Sequence, residues 1–125
     1  MKRISRENYL SILKNFKDQQ IIKVITGIRR CGKSTLLEIF QDYLKENGVE
    51  DKQIISINFE NADYEELQDR KKLYKYIKER LEKGKKTYVF LDEIQNVNEF
   101  EKTVDSLFIN KDVDLYITGS NAYLL

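Results

Sequence analysis

Apolar residues along this chain fall into two patterns, short β-branched runs and longer stretches with helical spacing. The short runs predict four strands, at residues 21–26, 53–59, 87–91 and 113–118. The longer stretches predict helices over residues 5–16, 35–45, 64–83 and 98–108. Because parallel strands need helical crossovers, this alternation predicts a three-layer α/β/α fold around a central parallel sheet of about four strands.

The ends of the predicted helices carry their own signals. Ser5 can cap the first helix, since its hydroxyl can accept a hydrogen bond from a first-turn N–H. The Asn-Gly pair at 47–48 predicts the end of the second helix, and Gly84 predicts the end of the third. Asn98 and Glu101 have the spacing of a capping box, so we expect the fourth helix to start there.

Three of the predicted strands end next to polar motifs. The strand ends are Thr26, Leu91 and Thr118. In parallel sheets covered by helices, ligands bind beyond the carboxyl ends of the strands. We therefore expect the three motifs to form one site.

The first motif, residues 27–34, fits G-x-x-x-x-G-K-S/T, a loop that holds nucleotide phosphates. Gly27 and Gly32 allow close backbone approach, so that loop N–H groups and the helix N-terminus form an anion site. Lys33 is expected to reach the β- and γ-phosphates, and the Ser34 hydroxyl to ligate Mg²⁺. Thr35, placed in the first helical turn, either meets the α-phosphate or is an ordinary helix-start hydroxyl. A plain glycine turn at a helix start is the alternative for the whole motif.

The variable part of this loop contains Arg29, Arg30 and Cys31. Either arginine caps a phosphate or faces solvent, and the sequence does not choose. Cys31 lies beside these cations near a helix N-terminus, where the thiolate is favoured. We therefore expect bound nucleotide to shield Cys31 from a maleimide.

The other two motifs are carboxylates after the third strand and small polar residues after the fourth. Asp92 ends a buried apolar run, where a carboxylate is costly unless it meets a cation, so it is our candidate for the metal. Glu93 is the candidate general base for the attacking water. Ser120 and Asn121 are both candidates for sensing the γ-phosphate. Two solvated acids and a plain turn are the competing interpretations of these motifs.

The composition argues against several classes of protein and of chemistry. In one domain of 125 residues, 22 basic and 21 acidic residues give a net charge of +1, which does not support nucleic-acid binding. One cysteine excludes an internal disulfide, and no apolar run approaches the roughly 20 residues of a membrane span. A cytoplasmic protein is therefore expected. Since histidine is absent, acid–base chemistry must use carboxylates, lysine or tyrosine.

Taken together, residues 25–37, 90–97 and 116–125 resemble the AAA-superfamily ATPases of bacteria and archaea. The shared signatures are G-x-R-R-x-G-K-S/T, L-D-E-I-Q and T-G-S-N. The resemblance implies binding and Mg²⁺-dependent hydrolysis of ATP. It implies Lys33 and Ser34 as Walker A, Asp92 and Glu93 as Walker B, and Ser120 or Asn121 as sensor. It also implies that the sensor strand lies between the two Walker strands.

Members of that family usually continue into a further strand, a helical lid and a C-terminal domain. Residues 1–125 are accordingly interpreted as the N-terminal portion of a longer ATPase, whose partner is an unknown protein or the absent C-terminal domain. The first strand is then an exposed edge, through which the chain can pair with another chain.

Three other functions are alternatives to an ATPase. The main alternative is a nucleotide-gated binding module without hydrolysis of its own, whose catalytic complement comes from missing domains or a partner. A GTPase is disfavoured because residues 110–113 approach N-K-x-D but end in Val113 instead of an acid. A small-molecule kinase would not need Glu93 and would show a basic lid.

Overall fold

The computed structural model describes residues 6–26 and 30–120. Its helices are α1 (Arg6–Phe16), α2 (Arg30–Glu46), α3 (Arg70–Arg80) and α4 (Phe100–Phe108). Its strands are β1 (Lys23–Ile25), β2 (Ile54–Asn58), β3 (Thr87–Asp92) and β4 (Val113–Thr118). Each strand lies within one residue of a predicted run or inside it, so the predicted sequence of strands is confirmed.

The strands form one parallel sheet in the order β1-β4-β3-β2. Strands β3 and β4 are buried along their whole length, as expected for the central strands of a covered parallel sheet. The position of β4 between β1 and β3 is the arrangement that the family resemblance implied. The α/β fold class is therefore confirmed.

Each face of the sheet carries its own apolar core. On one face, residues of β2, β3 and β4 pack against α3 and α4 through side chains such as Leu73, Ile77 and Leu107. On the other face α1 and α2 cover an aromatic group, in which the rings of Phe90 and Tyr116 stack with centroids 4.8 Å apart. These two cores account for the three predicted layers. In the described ranges no helix is both long enough and apolar enough to cross a membrane.

The predicted helix over residues 64–83 is wrong in its extent. The segment Ala62–Gln68 forms 3₁₀ turns, and α3 begins only after Asp69. The Asp69 carboxylate accepts hydrogen bonds from the N–H groups of Lys72 (3.2 Å) and Lys71 (2.8 Å), which lower the pKa of this carboxyl. A side chain that caps one helix interrupts a longer one, because it satisfies first-turn donors in place of a preceding carbonyl.

The predicted capping box at Asn98 and Glu101 is also wrong. Helix α4 has Glu99 as its N-cap, with φ of 54° and no side-chain cap hydrogen bond. The N–H of Asn98 instead donates to the Gln68 carbonyl at 3.1 Å. By contrast, the predicted end of α2 is confirmed, since Gly48 follows the helix with φ of 95°. The predicted cap Ser5 lies outside the described residues.

Strand β1 forms one edge of the described sheet, as expected. Between α1 and residues 21–26 lies an apolar groove of about 410 Å³. Ile12, Phe16, Ile21 and Val24 remain partly exposed around it. Pairing of this edge with another chain stays a prediction.

Two buried tyrosines, Tyr88 and Tyr116, lead us to expect that the protein loses stability at alkaline pH. Burial, followed by the neighbouring aspartates, raises the pKa of both phenols above the ordinary value of 10.0. In the unfolded chain the phenols ionise near that value, whereas in the fold they stay protonated. Their stabilising effect is therefore complete below pH 10 and is lost as pH rises above it. Urea unfolding should show that the free energy of unfolding falls between about pH 8 and 11. Tyr116→Phe should make this fall with pH shallower, and an unchanged fall would contradict the prediction.

Candidate functional site

The carboxyl ends of β1, β3 and β4 meet at one edge of the sheet. Asp92 is the last residue of β3, and Thr118 is the last residue of β4 and pairs with Ile25 of β1. Helix α2 follows β1 and begins at Arg30, so its N-terminus belongs to this edge as well. The expectation that the three motifs share one edge is met for the residues that the structure describes.

A hydrogen bond joins the first motif to the second. The Ser34 hydroxyl donates to Asp92 Oδ2 at 2.7 Å, although the two residues are 58 positions apart. Asp92 is buried, with 6% of its surface exposed. The hydroxyl and the carboxylate predicted to share a metal are therefore in direct contact. Carboxylates at the opposite edge would have excluded a common site.

Asp92 also contacts a residue that sequence reasoning did not include among the candidates. The Thr118 hydroxyl hydrogen bonds to Asp92 Oδ1 and accepts a hydrogen bond from the Glu93 N–H at 2.9 Å. Thr118 is fully buried. The available signal was a hydroxyl at the end of an apolar strand, adjacent in the fold to an acid.

Glu93 has an uncommon backbone conformation and several partners. Its φ and ψ are 60° and 50°, in the left-handed region that residues with a side chain rarely adopt. Gln95 Nε2 donates to Glu93 Oε2 at 2.6 Å, and Asn96 Nδ2 donates to the Glu93 carbonyl at 3.1 Å. Gln95 was likewise not a candidate, although it is the last residue of the L-D-E-I-Q signature. Within the described part of the chain its Oε1 is buried without a hydrogen-bond partner.

The start of α2 corrects one prediction about the phosphate-loop motif. The helix begins at Arg30, so Gly32 and Ser34 are already helical and Thr35 lies in the second turn, not the first. Thr35 is half-buried. Helix first-turn N–H groups have no partner within the helix and attract anions, and here these groups belong to residues 30–33.

The candidate residues of the phosphate loop and of the segment after β4 are only partly described. Gly27, Arg29 and Asn121 lie outside the described residues, and the side chains of Arg30, Cys31 and Lys33 do so too. Ser120 is half-buried and follows β4 by two residues, next to the edge that holds Asp92. The roles of all these residues stay predictions.

The site has few metal-binding side chains. Among the described residues, no group of three or more His, Cys, Asp or Glu side chains is arranged to hold a metal ion. One carboxylate and one hydroxyl are nevertheless the kind of protein ligands that Mg²⁺ uses when phosphate oxygens and water complete its shell.

Comparison with known proteins settles the family. A family model described as "AAA domain" matches residues 19–125. The chain belongs to this family. The AAA domain has an ATPase-type fold, and its family implies nucleotide binding, usually with Mg²⁺.

One relative of this AAA domain is an uncharacterized protein of Haemophilus influenzae. The two are 44% identical over 123 residues, which cover 98% of this chain and 31% of the relative. The chain therefore spans about a third of the length of the curated relative that it matches. No solved structure matches the chain.

Proposed function

We propose that this AAA domain binds ATP with Mg²⁺ and hydrolyses it. The observation that supports this most strongly is the contact of Ser34 Oγ with Asp92 Oδ2 at 2.7 Å. The hydroxyl comes from the helix that follows the phosphate-loop motif, and the carboxylate comes from the end of a central strand. A metal shared by a triphosphate and the two motifs needs these oxygens close together, and their proximity supports the proposal.

The residues present suit Mg²⁺. Ser34 and Asp92 offer oxygen ligands only, which magnesium prefers. When bound, the ion would neutralise charge on the β- and γ-phosphate oxygens. Asp92 lies at the buried end of β3, so an added cation would also offset the cost of a buried carboxylate.

In this proposal the remaining candidates act on the phosphates and the attacking water. Lys33 holds the β- and γ-phosphates, next to the N–H groups of the first turn of α2. Glu93 directly follows Asp92 and accepts a proton from water as general base. Ser120 or Asn121 senses the γ-phosphate; Ser120 follows β4, the strand beside Asp92.

The fold argues against guanine recognition by residues 110–113. The guanine-binding run N-K-x-D has its nearest counterpart at residues 110–113, which lead into the amino end of β4. There the Asp112 carbonyl accepts the N–H of Thr87, the first residue of β3. Residues 110–113 therefore lie at the edge opposite Asp92, where they cannot contact a base bound with its phosphates at Ser34.

Binding of nucleotide is tested with Lys33→Ala. Loss of one charged contact to phosphate is worth roughly 1.5–3 kcal/mol, so affinity for MgATP should fall about 10- to 100-fold. Isothermal titration of the full chain with MgATP and MgGTP measures this. Lys75→Ala, which removes an exposed lysine of α3, is the matched control. Unchanged affinity in Lys33→Ala would refute the phosphate site, and equal affinity for MgGTP would refute the preference for ATP.

One observation favours the second candidate, a nucleotide-gated binding module without hydrolysis. The Gln95 amide donates to Glu93 Oε2 at 2.6 Å, so one acceptor site of the proposed base is already occupied by a protein group. Phosphate release by the full chain at high protein concentration separates the candidates. Release that follows MgATP concentration supports hydrolysis, whereas binding without release supports the module.

A further inference from the structure

We propose that Thr118 is a positioning residue for this site, whose buried hydroxyl fixes the two acidic residues relative to each other. The proposal rests on the proposed ATPase function and extends it. Thr118 would not touch nucleotide, metal or water. Its effect would pass through the Asp92 carboxylate and the Glu93 backbone.

The sheet register places Thr118 where this is possible. Thr118 pairs with Ile25 at the end of β1, and Ile117 pairs with Leu91 of β3. One residue further, Thr118 lies beside Asp92. The carboxyl end of β4 is therefore the point in the described sheet that adjoins both the strand before the phosphate-loop motif and the strand that carries the acids.

The chemistry of a hydroxyl explains why threonine suits this position. The Glu93 N–H can only donate, so Thr118 Oγ1 accepts from it at 2.9 Å and directs its own proton to Asp92 Oδ1. Ser34 donates to the other carboxylate oxygen, Oδ2, at 2.7 Å. With a hydroxyl on each oxygen the plane of the Asp92 carboxylate is fixed, and Oδ2 is the oxygen turned toward Ser34.

The same hydroxyl holds the backbone at Glu93. This residue has φ of 60°, an arrangement that persists only where surrounding contacts favour it. The bond from its N–H to Thr118 is such a contact, and the direction of the Glu93 side chain depends on it. A residue that acts in this way should affect turnover more than nucleotide affinity, because the proposed base is displaced while the phosphate contacts stay.

The test compares Thr118→Val, which keeps the shape but loses the hydroxyl, with Thr118→Ser, which keeps the hydroxyl. In the full chain with saturating Mg²⁺, Thr118→Val should lower kcat about 10- to 100-fold with KM for ATP within about threefold. Thr118→Ser should retain at least about a third of wild-type kcat. Thr103→Val is the matched control, since it removes another buried hydroxyl, bonded to the Arg70 carbonyl in the α3–α4 layer.

A second measurement needs no nucleotide. Hydrogen exchange of the Glu93 amide should be faster in Thr118→Val than in wild type or Thr118→Ser, because its acceptor is gone. If Thr118→Val does not fold, Thr118→Ala and Thr118→Ser are compared in the same assays. Wild-type kcat in the variant without the hydroxyl, or unchanged Glu93 exchange, would overturn the proposal. Absence of ATP binding or turnover in wild type would refute the proposed function instead, and the exchange result would still decide whether Thr118 holds Glu93.

Discussion

Replacing Glu93 with glutamine is expected to lower the turnover number for ATP by a factor of about 100 or more, while MgATP affinity stays within about threefold. General-base catalysis typically contributes 10²–10⁴-fold to a rate, and an amide cannot accept the proton that the carboxylate accepts. Steady-state phosphate release and isothermal titration, both on the full chain, measure the two quantities.

The surroundings of Glu93 make this substitution informative. The contacts of its backbone with Thr118 and Asn96 do not involve the carboxylate, so they remain. The introduced amide oxygen can still accept from Gln95, which now donates to Oε2. Glu101→Gln, at an exposed acid in the first turn of α4, is the matched control. A kcat within threefold of wild type for Glu93→Gln would assign the base to another residue.

The layout of this site could be predicted from the sequence because it depends on strand ends. Four runs rich in apolar residues form the sheet, and parallel strands with helical crossovers bring their carboxyl ends to one edge. Ser34 and Asp92 meet for that reason. The order of the strands in the sheet could not be predicted in this way. Periodicity does not give strand order, and the placement of β4 between β1 and β3 was expected only from the family resemblance.

The contacts of Thr118 and Gln95 could not be predicted in the same way. They depend on register and on side-chain direction at the strand ends. Strands β3 and β4 are buried along their whole length, so their residues do not alternate between buried and exposed, and the apolar pattern does not specify register. The break before α3 was missed for a related reason. Asp69 occupies a position where the charged pattern continues in a helical period, but its carboxylate caps α3. The capping box predicted at Asn98 had the right residue types, yet the Asn98 N–H bonds to Gln68 in another segment.

The largest effect on stability is expected for Asp114→Ala, near the amino ends of the strands and away from the candidate site. Asp114 is buried in β4 and forms an ion pair with the buried Lys23 of β1. Its Oδ2 also accepts from the Tyr116 hydroxyl at 2.8 Å and from the Asp18 N–H at 2.9 Å. Removing one member of a buried pair leaves an uncompensated charge, so the free energy of unfolding should fall by about 3–5 kcal/mol.

Urea unfolding of Asp114→Ala measures this loss, with Asp105→Ala at an exposed position of α4 as the matched control. Replacing both partners, as in Lys23→Met with Asp114→Leu, should restore much of the stability, because no charge then remains buried without a partner. A loss below about 1 kcal/mol in Asp114→Ala would place this pair with weak, surface-like ion pairs.

This variant also separates the stability of the fold from the integrity of the site. Lys23 is the first residue of β1 and Asp114 the second of β4, whereas Asp92 and Thr118 end their strands. The ion pair therefore lies at the amino ends of the strands, away from the Ser34–Asp92 contact. Under conditions where Asp114→Ala remains folded, its affinity for MgATP should match that of wild type. A parallel loss of affinity would mean that the two edges of the sheet are coupled.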